Sequence, residues 1–196
     1  MTVSMYQTAV PAMARSLLAL RDILEKSERH ATNAGIEPKS LLGASLAPDM
    51  YDLADQVDLM CRHARGICVR LGGRDGGLFD ESTCERKAVI ELTGLIDHTM
   101  DLLEQVSPPE FDTSRDREIQ FNIGTTHFRM TGLQYLAEFA VPNFYFHYAI
   151  AYGILRQRGV PIGKADYLGR VGLAFPRSGG VAADLLETRS DKGSSP

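Results

Sequence analysis

The sequence predicts an all-α protein: an antiparallel four-helix bundle with one short β-hairpin between its third and fourth helices. Three observations carry that prediction. Four stretches of about 22 to 30 residues repeat apolar side chains at helical spacing. Capping residues and helix-stopping Gly or Pro bracket these stretches. Between Arg117 and Met130 the apolar period switches to two, the spacing of a strand. Mostly short loops between long helices make neighbours antiparallel.

The first helix runs from about Ser4 to about Asn33. Ser4 and Gln7 have the spacing of a capping box, and Tyr6, Ala9, Met13, Leu17, Leu20 and Leu24 form the buried stripe. Pro11 has no N–H to donate, so it is expected to bend this helix or to mark its true first turn. Gly35 to Leu46, with Pro38 and Gly43, reads as a loop. The second helix is expected to start at Pro48, with Asp49 and Asp52 complementing the helix dipole. Leu53, Val57, Met60, Ala64, Ile67 and Leu71 are its stripe, and Gly72-Gly73 its stop. The stretch Gly72 to Gly77 follows no strand and lacks a Lys-Ser/Thr ending, so it reads as a flexible linker rather than a phosphate loop.

The third helix opens on Ser82, with Glu85 completing a second capping box, and runs to about Val106. Leu92, Leu95, Ile96, Leu103 and Val106 face its core side, and Pro108-Pro109 forbids continuation. In the hairpin Ile119, Phe121 and Ile123 alternate, Gly124-Thr125 turns the chain, and His127, Phe128 and Met130 follow. A lone hairpin is marginally stable in water, so this one is expected to pack on the helices or on a partner. The fourth helix begins near Thr131, with Gln134 completing a capping box, and runs to about Arg158 before Gly159 and Pro161. Pro142 inside it should produce a kink one turn before His147 and free a backbone carbonyl. Residues 1–176 are expected to form one domain. Residues 177–196, poor in aromatics and rich in Gly, Ser and charge, read as a flexible tail, in which Val181 to Leu186 has the composition of one docked helical turn.

The net charge is −4 and the charged residues are interspersed, which lacks the basic footprint of a nucleic-acid binder. No apolar run reaches about 18 residues, so no membrane span is expected. Arg15 interrupts Ala9 to Leu20 and no basic residue precedes it, which argues against a signal peptide and for a cytoplasmic location. Cys61, Cys68 and Cys84 do not form a disulfide framework, since Cys61 and Cys68 lie about 10 Å apart along one helix. No spacing suggests structural zinc. Cys84, in the first turn of the expected third helix beside Arg86 and Lys87, is a candidate redox-sensing thiol.

Two polar residues interrupt the apolar seam of the fourth helix. Asn143 and His147 lie one turn apart, in line with Leu136, Ala140, Ile150 and Ile154. One reading makes them a buried hydrogen-bonded pair that fixes helix register. Another makes them the wall of a small-molecule pocket with Gln56, Tyr145 or Tyr152. A third places a divalent metal among His63, His98 and His147, which fall on three different helices. His30 and His127 read as surface or hairpin residues. There is no Gly-x-Ser-x-Gly elbow, and Asp52 with Asp55 reads as dipole-complementing charge rather than an acid/base pair. The run Phe144, Tyr145, Phe146 and Tyr148 surrounds its helix, so that helix needs more cover than three neighbours supply. The hairpin is one candidate cover; a second copy of the chain is another, hence an expected homodimer.

Three segments carry a resemblance: Leu46 to Val57 (LAPDMYDLADQV), Pro142 to Lys164 (PNFYFHYAIAYGILRQRGVPIGK) and Asp166 to Gly169 (DYLG). Together they resemble a bacterial family of unknown function within the DinB/YfiT-like bundles, over roughly Met5 to Gly169. The resemblance implies a DinB-type four-helix bundle, often a homodimer, with metal-dependent thiol S-transferases among its relatives. Such relatives typically show a His-x-x-x-His pair on the last helix and a third His on the second. Here the last helix reads Asn143-x-x-x-His147, and the comparable seam of the second helix holds Gln56, with His63 two turns on. Neutral amides are weak ligands for zinc or nickel. The expectation is therefore a dimeric small-molecule-binding or structural protein without the tri-histidine centre and with no cofactor. The alternative is a thiol S-transferase-like enzyme with a divalent metal on His147.

Overall fold

The computed structural model describes residues 3–73 and 88–171. Its long helices are α1 (Met5–Ala34), α3 (Leu53–Arg70), α4 (Val89–Glu104) and α7 (Val141–Gln157). α3 packs on both α4 and α7, and α1 packs on α4 and α7, closing the ring of an antiparallel bundle. Leu17, Leu20, Leu24, Met60, Ile67, Leu92, Ile96 and Ile154 fill its centre.

At the start of α1 Ser4 accepts from the Gln7 N–H at 3.1 Å, which is one half of the expected capping box. Pro11 lies in the second turn, inside the helix rather than at its start. Gly35, at φ 67°, ends α1 in the left-handed region that glycine adopts without a Cβ clash. The following segment is not all loop, because Pro38–Leu42 forms α2, opened by its proline and anchored by buried Leu41 and Leu42.

α3 starts at Leu53, not at Pro48 as expected. Asp52 accepts from the Asp55 N–H at 2.9 Å, satisfying an orphan donor that a leading proline leaves open. Pro48 falls in the preceding turn, and the Leu53 N–H donates to Ala44 O at 2.9 Å. The expected start of the third helix at Ser82 and Glu85, together with Cys84 and the tail at 177–196, lies outside the described residues. Where α4 begins, Glu91 accepts from the Ala88 N–H at 3.1 Å. Pro108 and Pro109 end that run and themselves open α5 (Pro108–Thr113).

The hairpin pairs β1 (Glu118–Ile123) with β2 (Thr126–Thr131) antiparallel, placing Phe121 opposite Phe128 about a turn at Gly124. Thr131 then accepts from Gln134 N–H at 3.2 Å, and Gln134 Oε1 accepts from Thr131 N–H at 3.0 Å. That box opens α6 (Gly132–Gln134), which continues through a π-helical turn (Tyr135–Ala140) into α7. The irregularity expected at Pro142 is therefore this wider turn, in which the Val141 N–H reaches Leu136 O five residues back. A short α8 (Lys164–Leu168) lies against α1.

Candidate functional site

Seven polar residues are buried among the described residues: Ser16, Ser27, Gln56, Thr93, Thr99, Ser114 and His147. The five hydroxyls each donate to a carbonyl three or four residues back on their own segment. Gln56 and His147 differ, because they bond to each other across the α3–α7 contact. His147 Nδ1 lies 2.8 Å from Gln56 Oε1.

The local network fixes the proton. Gln56 Nε2 donates to Tyr51 O at 3.2 Å, so its Oε1 must be the atom facing the imidazole. His147 consequently donates from Nδ1, and in the neutral ring Nε2 carries the lone pair. His63, two turns further along the same face of α3 from Gln56, stacks on His147 with centroids 5.5 Å apart and planes at 12°. Burial holds both imidazoles down, at about 4. For His63 the neighbouring His147 and the Arg70 and Arg62 guanidiniums add to that effect. Near neutral pH both rings are uncharged. His147 Nε2 and both nitrogens of His63 bond no other described residue.

Aromatic side chains roof this pair. His63 meets Phe139 edge-on at 5.5 Å, and Phe139 in turn packs on Phe121, Phe128 and Tyr135 at 4.9 to 5.8 Å. The Arg70 guanidinium lies 4.8 Å over Phe121 and 5.4 Å over Tyr135, and donates to the Tyr135 hydroxyl at 3.3 Å. The hairpin thus covers the π-turn, one step upstream of the run Phe144 to Tyr148 for which it was the expected cover.

The other expected pocket residues disperse. Asn143 does not pair with His147: it donates to Phe139 O at 2.7 Å, because the i−4 carbonyl is the nearest acceptor. Tyr145 packs edge-on against Phe144. Tyr152 instead joins Tyr167 of α8 at 5.5 Å, around an open cleft of about 230 Å³. Tyr167 was not singled out in the sequence, although Tyr145, Tyr148 and Tyr152 at spacings of three and four marked its half of the contact.

His98 is exposed on α4, while His63 and His147 share the α3–α7 seam. Among the described residues no three His, Cys, Asp or Glu side chains gather so as to hold a metal. Gln56, where a third histidine is expected, spends its oxygen on His147. Asp52 and Asp55 act as cap and capped residue, and burial with the Asp52 and Asp58 charges raises Asp55.

Residues 5–168 match the family model described as Domain of unknown function (DUF1993), and the chain belongs to that family. A crystal structure of a DinB family member protein from Shewanella denitrificans is similar to this chain at 32% identity, covering 87% of this chain and 95% of the other, with a TM-score of 0.73. No curated protein matches. No described helix is long and apolar enough to cross a membrane.

Proposed function

We propose that this DinB-like bundle is a cytoplasmic homodimer that binds a small molecule at the stacked His63–His147 pair, without catalysing a reaction. One observation carries the reading. Two neutral imidazoles sit face to face at a roofed helix seam, with Gln56 turning His147 so that a lone pair, not a proton, is offered at Nε2. A ligand donating a hydrogen bond and bringing apolar surface to Phe139 complements such a seat. The Gln56–His147 hydrogen bond also ties α3 to α7, since replacing either of those two residues leaves a buried polar group alone. Phe146, 54% exposed on the same helix, supports a second subunit as remaining cover. Sedimentation at micromolar concentration showing only monomer overturns the dimer.

The test of the site is ¹⁵N NMR of the histidine rings during a small-molecule screen. Binding should move His147 Nε2 and His63 together and be lost in His147→Ala. A screen in which every hit leaves both rings unmoved reduces the pair to a register lock.

A second reading, a metal-dependent thiol S-transferase-like enzyme, draws on the same neutral nitrogens, which are free to ligate without losing protons. His147 and His63 would hold a divalent ion, which would lower the pKa of a bound thiol. Elemental analysis of untagged protein exposed to zinc, nickel and manganese decides it. About one metal per chain, lost in His147→Ala, supports this reading over the first.

A further inference from the structure

α7 carries a second aromatic face that the histidine pair does not use. Tyr145, Tyr148 and Tyr152 follow one another at spacings of three and four, and Tyr167 of α8 lies against them. Tyr148 is buried, stacks on Tyr167 at 4.2 Å and 12°, and donates its hydroxyl to Tyr167 O at 2.6 Å. Asp166 pairs with Lys26 of α1 and accepts from the Gly163 N–H at 2.7 Å. These contacts clamp α8 although none of its own residues is buried.

The clamp leaves a cleft between α7 and α8, lined by Ala149, Tyr152, Lys164 and Tyr167, with about 230 Å³ of space. Tyr152 and Tyr167 meet edge-to-face at 5.5 Å and 73°, and both rings line the cleft as a corner. Ala149 keeps the floor low. Lys164 is exposed and forms no ion pair with a described residue, and the one carboxylate nearby on α8, Asp166, is already neutralised by Lys26.

We propose that this cleft binds a small aromatic carboxylate, its ring in the Tyr152–Tyr167 corner and its carboxylate on the Lys164 ammonium. Aromatic rings prefer offset-stacked and edge-to-face partners, and a corner supplies both at once. The space is smaller than the roughly 300 to 1,000 Å³ of drug-sized sites, which suits a single ring. Lysine offers donors and no acceptor, so the complement is an anion. An aliphatic acid has no face to stack, and an amine meets the wrong charge. None of these residues belongs to the histidine seat, so the two sites stand or fall separately.

The experiment is ¹⁹F NMR of 4-fluorobenzoate titrated with the full chain, with 4-fluorobenzyl alcohol as the uncharged control. Saturable binding of the benzoate in roughly the millimolar range is expected. Ala149→Leu fills the corner and should abolish it. Lys164→Gln should weaken the benzoate about two- to fivefold and leave the alcohol unchanged. His147→Ala should change neither. Ala149 and Lys164 are both exposed, so unfolding midpoints should stay in place and separate lost binding from lost fold. No saturable binding up to about 20 mM, binding indifferent to Ala149→Leu, or equal affinity for benzoate and alcohol each overturns the proposal.

Discussion

His147 donates from Nδ1 to Gln56 Oε1 at 2.8 Å, and Gln56 is itself held by donating to Tyr51 O. Replacing Gln56 by Leu removes the acceptor and leaves a buried N–H without one. Denaturant unfolding should show a loss of about 1–3 kcal/mol. Gln56→Glu instead puts a carboxylate against the same N–H and should raise the His147 pKa, read by NMR titration. A His147 titration unmoved by Gln56→Glu would separate the two residues.

Stability should also depend on pH in a defined window. Both imidazoles titrate at about 4 in the fold, against about 6.5 in the unfolded chain. Between those values the unfolded chain binds more protons, so stability is full above about pH 6.5 and falls as pH drops towards 4. Allowing for solvent screening at the partly open His63, the loss should total about 1–3 kcal/mol. The urea midpoint measured from pH 7.5 to 4.5 checks it, and His63→Phe should flatten the slope.

Two glycines separate crowding from helix propensity. A Cβ at Gly132 would lie 2.1 Å from Ser114 O, a backbone atom that cannot swing aside. Gly132→Ala should therefore cost about 3 kcal/mol or more, visible in thermal unfolding. Gly94 is exposed inside α4 with nothing within 4 Å of a built Cβ. Gly94→Ala should stabilise by about 0.5–1 kcal/mol through helix propensity.

Arg70 ties the hairpin to the bundle through Phe121 and Tyr135. A two-stranded hairpin is marginal alone, so loosening this tie should appear locally first. Arg70→Ala should speed hydrogen exchange across Glu118–Ile123 and Thr126–Thr131 while core amides of α3 keep their protection. Uniform acceleration throughout the chain would mean that Arg70 supports the bundle itself.

The bundle and hairpin were legible in the sequence because period and capping are local: Ser4, Thr131 and Gln134 act where their spacing placed them. Boundaries were less so where two local signals competed, and Asp52 prevailed over Pro48 by satisfying a donor. The site was half legible. Gln56 and His147 were both singled out, but spacing within one helix suggested Asn143 as the partner. The actual bond crosses 91 positions of chain and depends on how α3 meets α7, information that no single helix contains. Tyr167 escaped for the same reason, since α8 becomes an aromatic wall only once folded onto α7.

The π-turn at Tyr135–Ala140 has a consequence for how this helix evolves. One residue beyond the α-helical count is wedged into the turn, so everything upstream is out of phase with everything downstream by about 100°. Ala137 and Glu138 are exposed, so deleting either would cost little packing, yet it would bring the helix back into phase. Tyr135 would then swing away from the hairpin while His147 stayed in place. A one-residue gap here is a rotation of the roof over the histidines, and the number of residues in this turn sets their shelter as firmly as which residues they are.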